Sequence, residues 1–404
     1  MIDLHIFEFP LSLILALSLV LCIFISCKYL TGRYPAFRQM SLILLLTLSV
    51  LIAVEGSWSI GIFHHWTFIT VIILVLIAVG LTSVNDFSHR SFSAFLSHSG
   101  IFLVLFAGLF GAPDCTDAIM RVYEGERGEH IAIDDKGNAV PLPFSVLLED
   151  FNIDYYEDGT SPKQYTSILS IDGRTTQASV NHPCRYKGYR IYQSGYDVDS
   201  GHYSVLKIVR DPWLPVVALG ALMLLLGALL SLKTVWSNWK VLVAVLSLSV
   251  IFALISLARI SFGTLPPALR SLWFVPHLIV YMLAYSILAL AVISGLASLF
   301  SPKVQDGLPE KLLSTASSLL LIGMMCGAVW AKQAWGDYWT WDAKECWAAA
   351  TWLLTLAGTH VPRKSLRFLF AVIAFLAMQM TWYGVNYLPS SMQSLHTYNQ
   401  EKSI

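Results

Sequence analysis

The stretch Trp213-Leu-Pro-Val-Val-Ala-Leu-Gly-Ala-Leu-Met-Leu-Leu-Leu-Gly-Ala-Leu-Leu-Ser-Leu232 decides the class of fold. It carries no charge and is apolar on every helical face, and a helix of about 20 such residues is long enough to cross a bilayer. Nine other runs read the same way: 8–27, 40–62, 66–84, 93–112, 239–258, 275–300, 312–331, 344–361 and 367–388. The first lacks the small-residue cleavage site of a signal peptide and is expected to be retained. Composition agrees. Hydrophobic residues make up 56% of the 404 and charged residues 13%, against about 25% charged in soluble domains. The expected fold is an all-α polytopic membrane protein of about ten transmembrane helices, with an inserted extracytoplasmic β-rich domain. The composition argues against a soluble enzyme and excludes a disordered chain.

The insertion shows in the charges. Residues 113–211 hold ten Lys/Arg and sixteen Asp/Glu, half of all the charges and a net of −6. The rest of the chain carries +6, and the total of zero, with no basic run, argues against nucleic-acid binding. Phe144–Ile153, Gln164–Ile171, Tyr189–Tyr196 and Tyr203–Val209 are rich in β-branched and aromatic residues, with Asp-Gly and Lys-Gly turn signals between some of them. Basic loop residues favour the cytoplasm. Lys28, Arg33, Arg38, Arg90, Lys233, Lys240, Lys303, Lys311, Arg363, Lys364 and Arg367 fall in alternate connections. The opposite connections and the tail hold only Arg259, Arg270, Lys332, Lys344 and Lys402. Both termini and the acidic domain are therefore expected in the periplasm. Cys115 and Cys184 share that domain, where a disulfide or two separate thiols are both open.

The most informative short segment is Trp335-Gly-Asp-Tyr-Trp-Thr-Trp-Asp-Ala-Lys-Glu-Cys-Trp347. An interfacial aromatic belt explains one or two such rings. It does not explain four Trp and a Tyr interleaved with charges. A platform for a large flat ligand does, since each ring offers roughly 150–250 Å² of apolar surface. A porphyrin is such a ligand, and histidine is a common axial ligand of its iron. His277 and His396 flank the segment on the outer face, while His98 and His360 lie toward the cytoplasmic ends of their spans. His64 and His65 form the strongest rival pair.

These residues resemble a family. Trp335 to Trp347 is similar to the WWD haem-binding domain of the system II cytochrome c synthetases, the CcsB/CcsA (ResB/ResC) type, apparently fused in one chain. Leu96-Ser-His98-Ser-Gly100, Tyr192-Gln-Ser-Gly-Tyr196 and Arg210-Asp-Pro212 resemble the ResB-type partner. The resemblance implies four divisions. Residues 1–112 would be N-terminal helices, ResB-like in part, and 113–212 the outer β-rich domain. Residues 213–235 would be a ResB-like closing helix, and 236–404 a CcsA-like haem-handling domain. It also implies haem b as substrate and ligand, with His98, His360, His277 and His396 as iron ligands. Trp335, Trp339, Trp341, Trp347 and Lys344 would contact the haem, Lys344 through a propionate. Asp342 would join His277 and His396 in the catalytic set. The implied reaction is haem transport across the bacterial inner membrane, then thioether attachment to the CxxCH of an apocytochrome c. A thiol-reducing, thioredoxin-like protein is a further possible partner. Two rivals are a haem exporter without ligase activity and a bis-His haem b electron carrier.

Overall fold

The structure, a computed structural model, describes residues 34–89, 91–197, 202–232, 239–257, 264–300 and 307–390. Three helices come first: α1 (Tyr34–Trp58), α2 (Trp66–Ser88) and α3 (Phe92–Gly111). Eight strands follow: β1 (Thr116–Tyr123), β2 (Glu129–Asp134), β3 (Ala139–Tyr155), β4 (Pro162–Ile171), β5 (Arg174–Ser179), β6 (Cys184–Tyr186), β7 (Tyr189–Tyr196) and β8 (Tyr203–Arg210). Six helices complete the chain: α4 (Leu214–Leu232), α5 (Trp239–Leu257), α6 (Phe274–Phe300), α7 (Leu308–Ala334), α8 (Ala343–Thr359) and α9 (Lys364–Trp382).

Among the described residues seven helices are long and apolar enough to cross a membrane, namely α1–α4, α6, α7 and α9. The helix α8, with 17 residues, is about 26 Å long at 1.5 Å per residue. The run 8–27 and the expected domain boundary near residue 236 lie outside the described residues. Several expected ends move. The run 40–62 stops as a helix at Trp58, because the Glu55 carboxylate accepts the Gly61 and Ile62 amides (3.0 and 2.9 Å) and turns the chain. The run 312–331 extends to Leu308–Ala334, taking in Glu310, Lys311 and Lys332. The run 367–388 ends at Trp382 and gives way to a 3-10 turn over Gly384–Tyr387.

The strands form one antiparallel sheet in the order β5-β4-β3-β2-β1-β8-β7-β6. All four strands expected from sequence are present, as parts of β3, β4, β7 and β8. The edges β5 and β6 meet, with Ser179 bridged to His182, so the sheet rolls around its own core. Alternate residues fill that core: Met120 and Val122, Val146 and Leu148, Leu206 and Ile208. The Asp-Gly and Lys-Gly signals make tight turns, with positive φ at Asp172 and Gly173 and at Lys187 and Gly188. Cys115 and Cys184 are not bridged. Cys115 precedes β1 and Cys184 lies in β6, three strand spacings or about 14 Å apart in the sheet. A disulfide needs Cα atoms within about 7 Å.

Two apolar clusters organise the helices. One joins α1, α2 and α8 through Leu48, Val75 and Leu353. The other joins α5, α6, α7 and α9 through Val245, Leu288, Leu313 and Met378. The pair α3 and α4 leads into and out of the sheet and packs backbone to backbone. A Cβ on Gly100 would lie 2.7 Å from the Gly220 carbonyl. The sheet therefore caps the end of the bundle where α3 stops and α4 starts, and α8 starts at the same end.

Candidate functional site

A cavity of about 1870 Å³ runs between α1, α2, α3, α4, α7 and α8. Leu48, Val75, Leu105, Leu224, Met325 and Leu353 make its middle apolar. Its two ends are different. Asp86, His98 and His360 line it away from the sheet, and Trp339, Trp341 and Asp342 line it beside the sheet.

His98 lies six residues into α3, about 9 Å from its start. Its Nδ1 is 2.6 Å from Oδ2 of Asp86 on α2, an ion-pairing distance. His360 caps the C-terminus of α8, with Nδ1 2.9 Å from the Leu356 carbonyl and 3.0 Å from the Thr359 hydroxyl. A carboxylate and a carbonyl only accept, so each Nδ1 carries the proton. In the neutral ring Nε2 then holds the lone pair that a metal ligand needs.

The loop from Trp335 to Trp341 is held from both sides. Asp342 caps α8, its Oδ1 accepting the Glu345 amide at 2.9 Å. Buried Glu345 accepts the Thr340 amide (2.7 Å) and hydroxyl (3.1 Å). Between them Trp341 adopts φ 60°, a left-handed conformation that costs a non-glycine residue about 1–2 kcal/mol. Its ring rests on Phe63 (centroids 4.3 Å) and meets Trp339 edge-on (5.9 Å). Phe63 sits in the turn that Glu55 organises. The indole N–H groups of Trp339 and Trp347 are buried without a hydrogen-bond partner among the described residues. Such an orphaned donor costs about 1–3 kcal/mol, and the Trp339 donor belongs to a cavity-lining residue.

The other expected residues are placed as follows. His277 is in the first turn of α6, its Nδ1 2.8 Å from the Gly323 carbonyl. Its ring packs on Gly327, edge-on to Tyr281 (4.8 Å) and tilted toward Trp330 (5.9 Å). Gly323 and Gly327 face it, whereas Ile322, Met325 and Val329 of the same helix face the cavity. His277 and the cavity are thus on opposite sides of α7. Trp335 contacts Trp330 at 5.4 Å and so belongs to the His277 side. Lys344 is half-buried in the first turn of α8 and, like Trp347, is not on the cavity wall. His396 lies outside the described residues. Of the rival pair, His65 caps α2 through Thr67 and is exposed, and His64 falls in the adjoining 3-10 turn. Sequence reasoning missed Asp86 and Glu55. The available signal was an acid within or at the end of an apolar helix, which is costly enough there to suggest a use.

Comparison with known families divides the chain at the sheet. Residues 88–202 match the ResB-like family, and residues 213–393 match the cytochrome C assembly protein family. The chain is a ResB-like and CcsA-like fusion. Among curated relatives, the cytochrome c biogenesis protein CcsA of Guillardia theta is 31% identical over 194 residues, covering 36% of this chain and 64% of that protein. That of Chlamydomonas reinhardtii is 30% identical over 154 residues, covering 33% and 44%. That of Porphyra purpurea is 40% identical over 98 residues, covering 23% and 30%. The chain thus spans less than two thirds of each of these relatives.

The two halves of the fusion meet at the tryptophan loop. Lys207 of β8, just past the ResB-like match, lies 2.6 Å from Asp337 of the CcsA-like loop and 3.0 Å from Asp117 of β1. Burial pulls its ammonium down, but Asp337 and then Asp117 outweigh burial and hold it above the ordinary lysine range. Lys332 donates to the Gly336 carbonyl at 2.7 Å and stands over the rings of Tyr338 (4.9 Å) and Tyr192 (5.8 Å). Gly336 has φ 92°, and a Cβ there would come within 3.1 Å of the Tyr192 ring. Asn181 and Tyr156 of the sheet also bond the Pro267 and Leu265 carbonyls ahead of α6 (2.8 and 3.0 Å).

Proposed function

We propose that this fusion moves haem b from the cytoplasmic face to the tryptophan loop and joins it there to the CxxCH of an apocytochrome c. The observation that carries the reading is one apolar cavity lined by His98 and His360 at one end and by Trp339 and Trp341 at the other. The residues fit a haem. Apolar walls suit the macrocycle, His98 and His360 suit axial ligation, and the orphaned Trp339 N–H suits a propionate oxygen.

The described basic residues support the orientation. Lys240, Lys311, Arg363, Lys364 and Arg367 are at the end away from the sheet, against Arg270, Lys332 and Lys344 near it. In this reading the sheet and both termini are periplasmic and the helices lie in the bacterial inner membrane. Residues 1–112 are N-terminal helices, ResB-like in part, 113–212 the outer domain and 236–404 the CcsA-like domain, while 213–235, expected as a ResB-like closing helix, falls within the stretch that matches the cytochrome C assembly family.

At the loop, His277 and His396 would hold the iron; His277 stands across α7 from the cavity, and the loop that follows the end of α7 links that side to the cavity. Each substrate thiol adds across a haem vinyl group: sulfur bonds to one carbon, the proton goes to the other, and no net oxidation occurs. The chain's own groups position rather than attack. Asp342 serves by fixing the loop, and Lys344 neutralises a propionate.

Co-expression with an apocytochrome c in a host lacking its own maturation system tests this. The expected product carries haem that survives denaturing electrophoresis. Non-covalent haem alone would point to an exporter, and haem confined to the fusion to an electron carrier. His277→Ala and His396→Ala should each abolish the covalent product, with partial rescue by imidazole. Full activity in either variant removes that assignment.

A further inference from the structure

We propose that Asp86 is a positioning residue for His98: its carboxylate holds the imidazole with Nε2 free for iron and strengthens that nitrogen as a donor. This rests on the reading above, in which His98 is a haem ligand. Asp86 is 8% exposed, near the end of α2, and lines the same cavity as His98. Its Oδ2 accepts from Nδ1 at 2.6 Å, a charge-assisted distance. A second hydroxyl pair, Ser83 and Ser99, ties the same two helices one turn away, so the ring is held in a rigid frame.

A buried acid in an apolar helix is costly, and the bundle does not need this one to join α2 and α3. The serine pair already does so. What a carboxylate adds is charge. A ligand histidine that gives its second N–H to a carboxylate is fixed in one tautomer and becomes more basic, and loss of such a partner typically weakens metal binding 10–100-fold. At His360 the Nδ1 meets the Leu356 carbonyl and the Thr359 hydroxyl instead. The two histidines therefore differ at Nδ1, where an anion partners His98 and neutral oxygens partner His360.

The test uses the full chain, purified in detergent from haem-replete cells. It is run as wild type and with His277→Ala, so that the second set reports the His98–His360 site. Asp86→Asn is nearly isosteric and keeps an oxygen to accept the Nδ1–H, but removes the charge. It is expected to lower haem retention about tenfold or more at limiting haem and to raise the haem midpoint potential. Ser83→Ala, which breaks the other tie between the same helices, is expected to leave the potential unchanged. If Asp86→Asn leaves both readouts at wild-type values, or if Ser83→Ala shifts the potential equally, Asp86 only joins helices and the proposal is overturned. His98→Ala separates the two levels. If it keeps the wild-type spectrum, the ligand reading itself fails.

A measurement with Asp86 intact covers the case in which the Asn variant does not accumulate. In His360→Ala the ferrous haem is held by His98, and in His98→Ala by His360. The iron–histidine stretch in resonance Raman spectra should be higher in the first, because the carboxylate-bonded ring binds iron more strongly. Equal frequencies overturn the proposal.

Discussion

Asp172 shows how much one carboxylate fixes in the β-sheet domain. It accepts the Ser145 amide (3.0 Å), the Tyr186 hydroxyl (3.0 Å) and the Lys187 ammonium (2.9 Å), so it ties its own turn to the Lys187-Gly188 turn. These bonds, Lys187 foremost, hold its carboxyl down to about 2. A free aspartate titrates near pH 4, at about 3.9. The stabilisation is therefore complete above about pH 4 and is lost as pH falls through about 2. Asp172→Asn should lower the urea midpoint of the sheet at pH 6, and the gap from wild type should close toward pH 2. A gap that is constant with pH would show that the charge is not what matters. Both turns were legible because Asp-Gly and Lys-Gly are local signals. Asp86 was not legible as a partner of His98. The two lie twelve residues apart on different helices, and their meeting depends on how α2 and α3 pack. The same holds for Glu55, whose service to Phe63 and Trp341 crosses from α1 to a loop some 280 residues away.

The helices were the most legible elements because a membrane core demands about 20 apolar residues in a row, whatever their neighbours. Their ends were less so, since Glu55 and the charged turns of α7 decide where helix stops, and side-chain capping is invisible to a hydropathy window. The strands divided by composition. Four of the strands rich in Val, Ile and Tyr were expected, whereas β5 (Arg-Thr-Thr-Gln-Ala-Ser) is polar and is held by its pairing with β4 and by Ala178 in the core. Between elements, the contact of α3 with α4 carries a prediction. Gly100 and Gly220 let the two backbones touch, as small residues do in membrane helix pairs. Gly100→Ala should lower stability by about 1–3 kcal/mol through overpacking, read as a drop in the thermal midpoint in detergent. Because His98 is two residues away, haem retention should fall with it. Gly108→Ala, on the same helix with open space around its Cβ position, should be neutral or stabilising by up to about 1 kcal/mol. Equal effects at the two positions would mean that helix propensity, not the crossing, sets the outcome.

At the scale of the whole molecule, the neutral sum of charges conceals the arrangement that joins the two halves. The acidic surplus of the insertion was readable, but not that one of its ten cations, Lys207, holds the tryptophan loop. In a fusion, such a contact makes the sheet part of what holds the tryptophan loop rather than a separate docking module. Lys207→Met and Asp337→Asn should each loosen residues 335–342, by about 1.5–3 kcal/mol if the charged hydrogen bond is worth its usual amount. The loss would appear as faster amide exchange there and as less covalent cytochrome. Since the two groups act on one another, the double variant should loosen the loop little more than either single one. Asp117 sharpens the test. Once Asp337 is neutral, Lys207 still has Asp117 at 3.0 Å, so Asp337→Asn should spare the sheet and free the loop, whereas Lys207→Met should weaken both. Additive effects, or a loop whose exchange is indifferent to Lys207, would return the tryptophan segment to the membrane domain alone and leave the sheet without a part in holding haem.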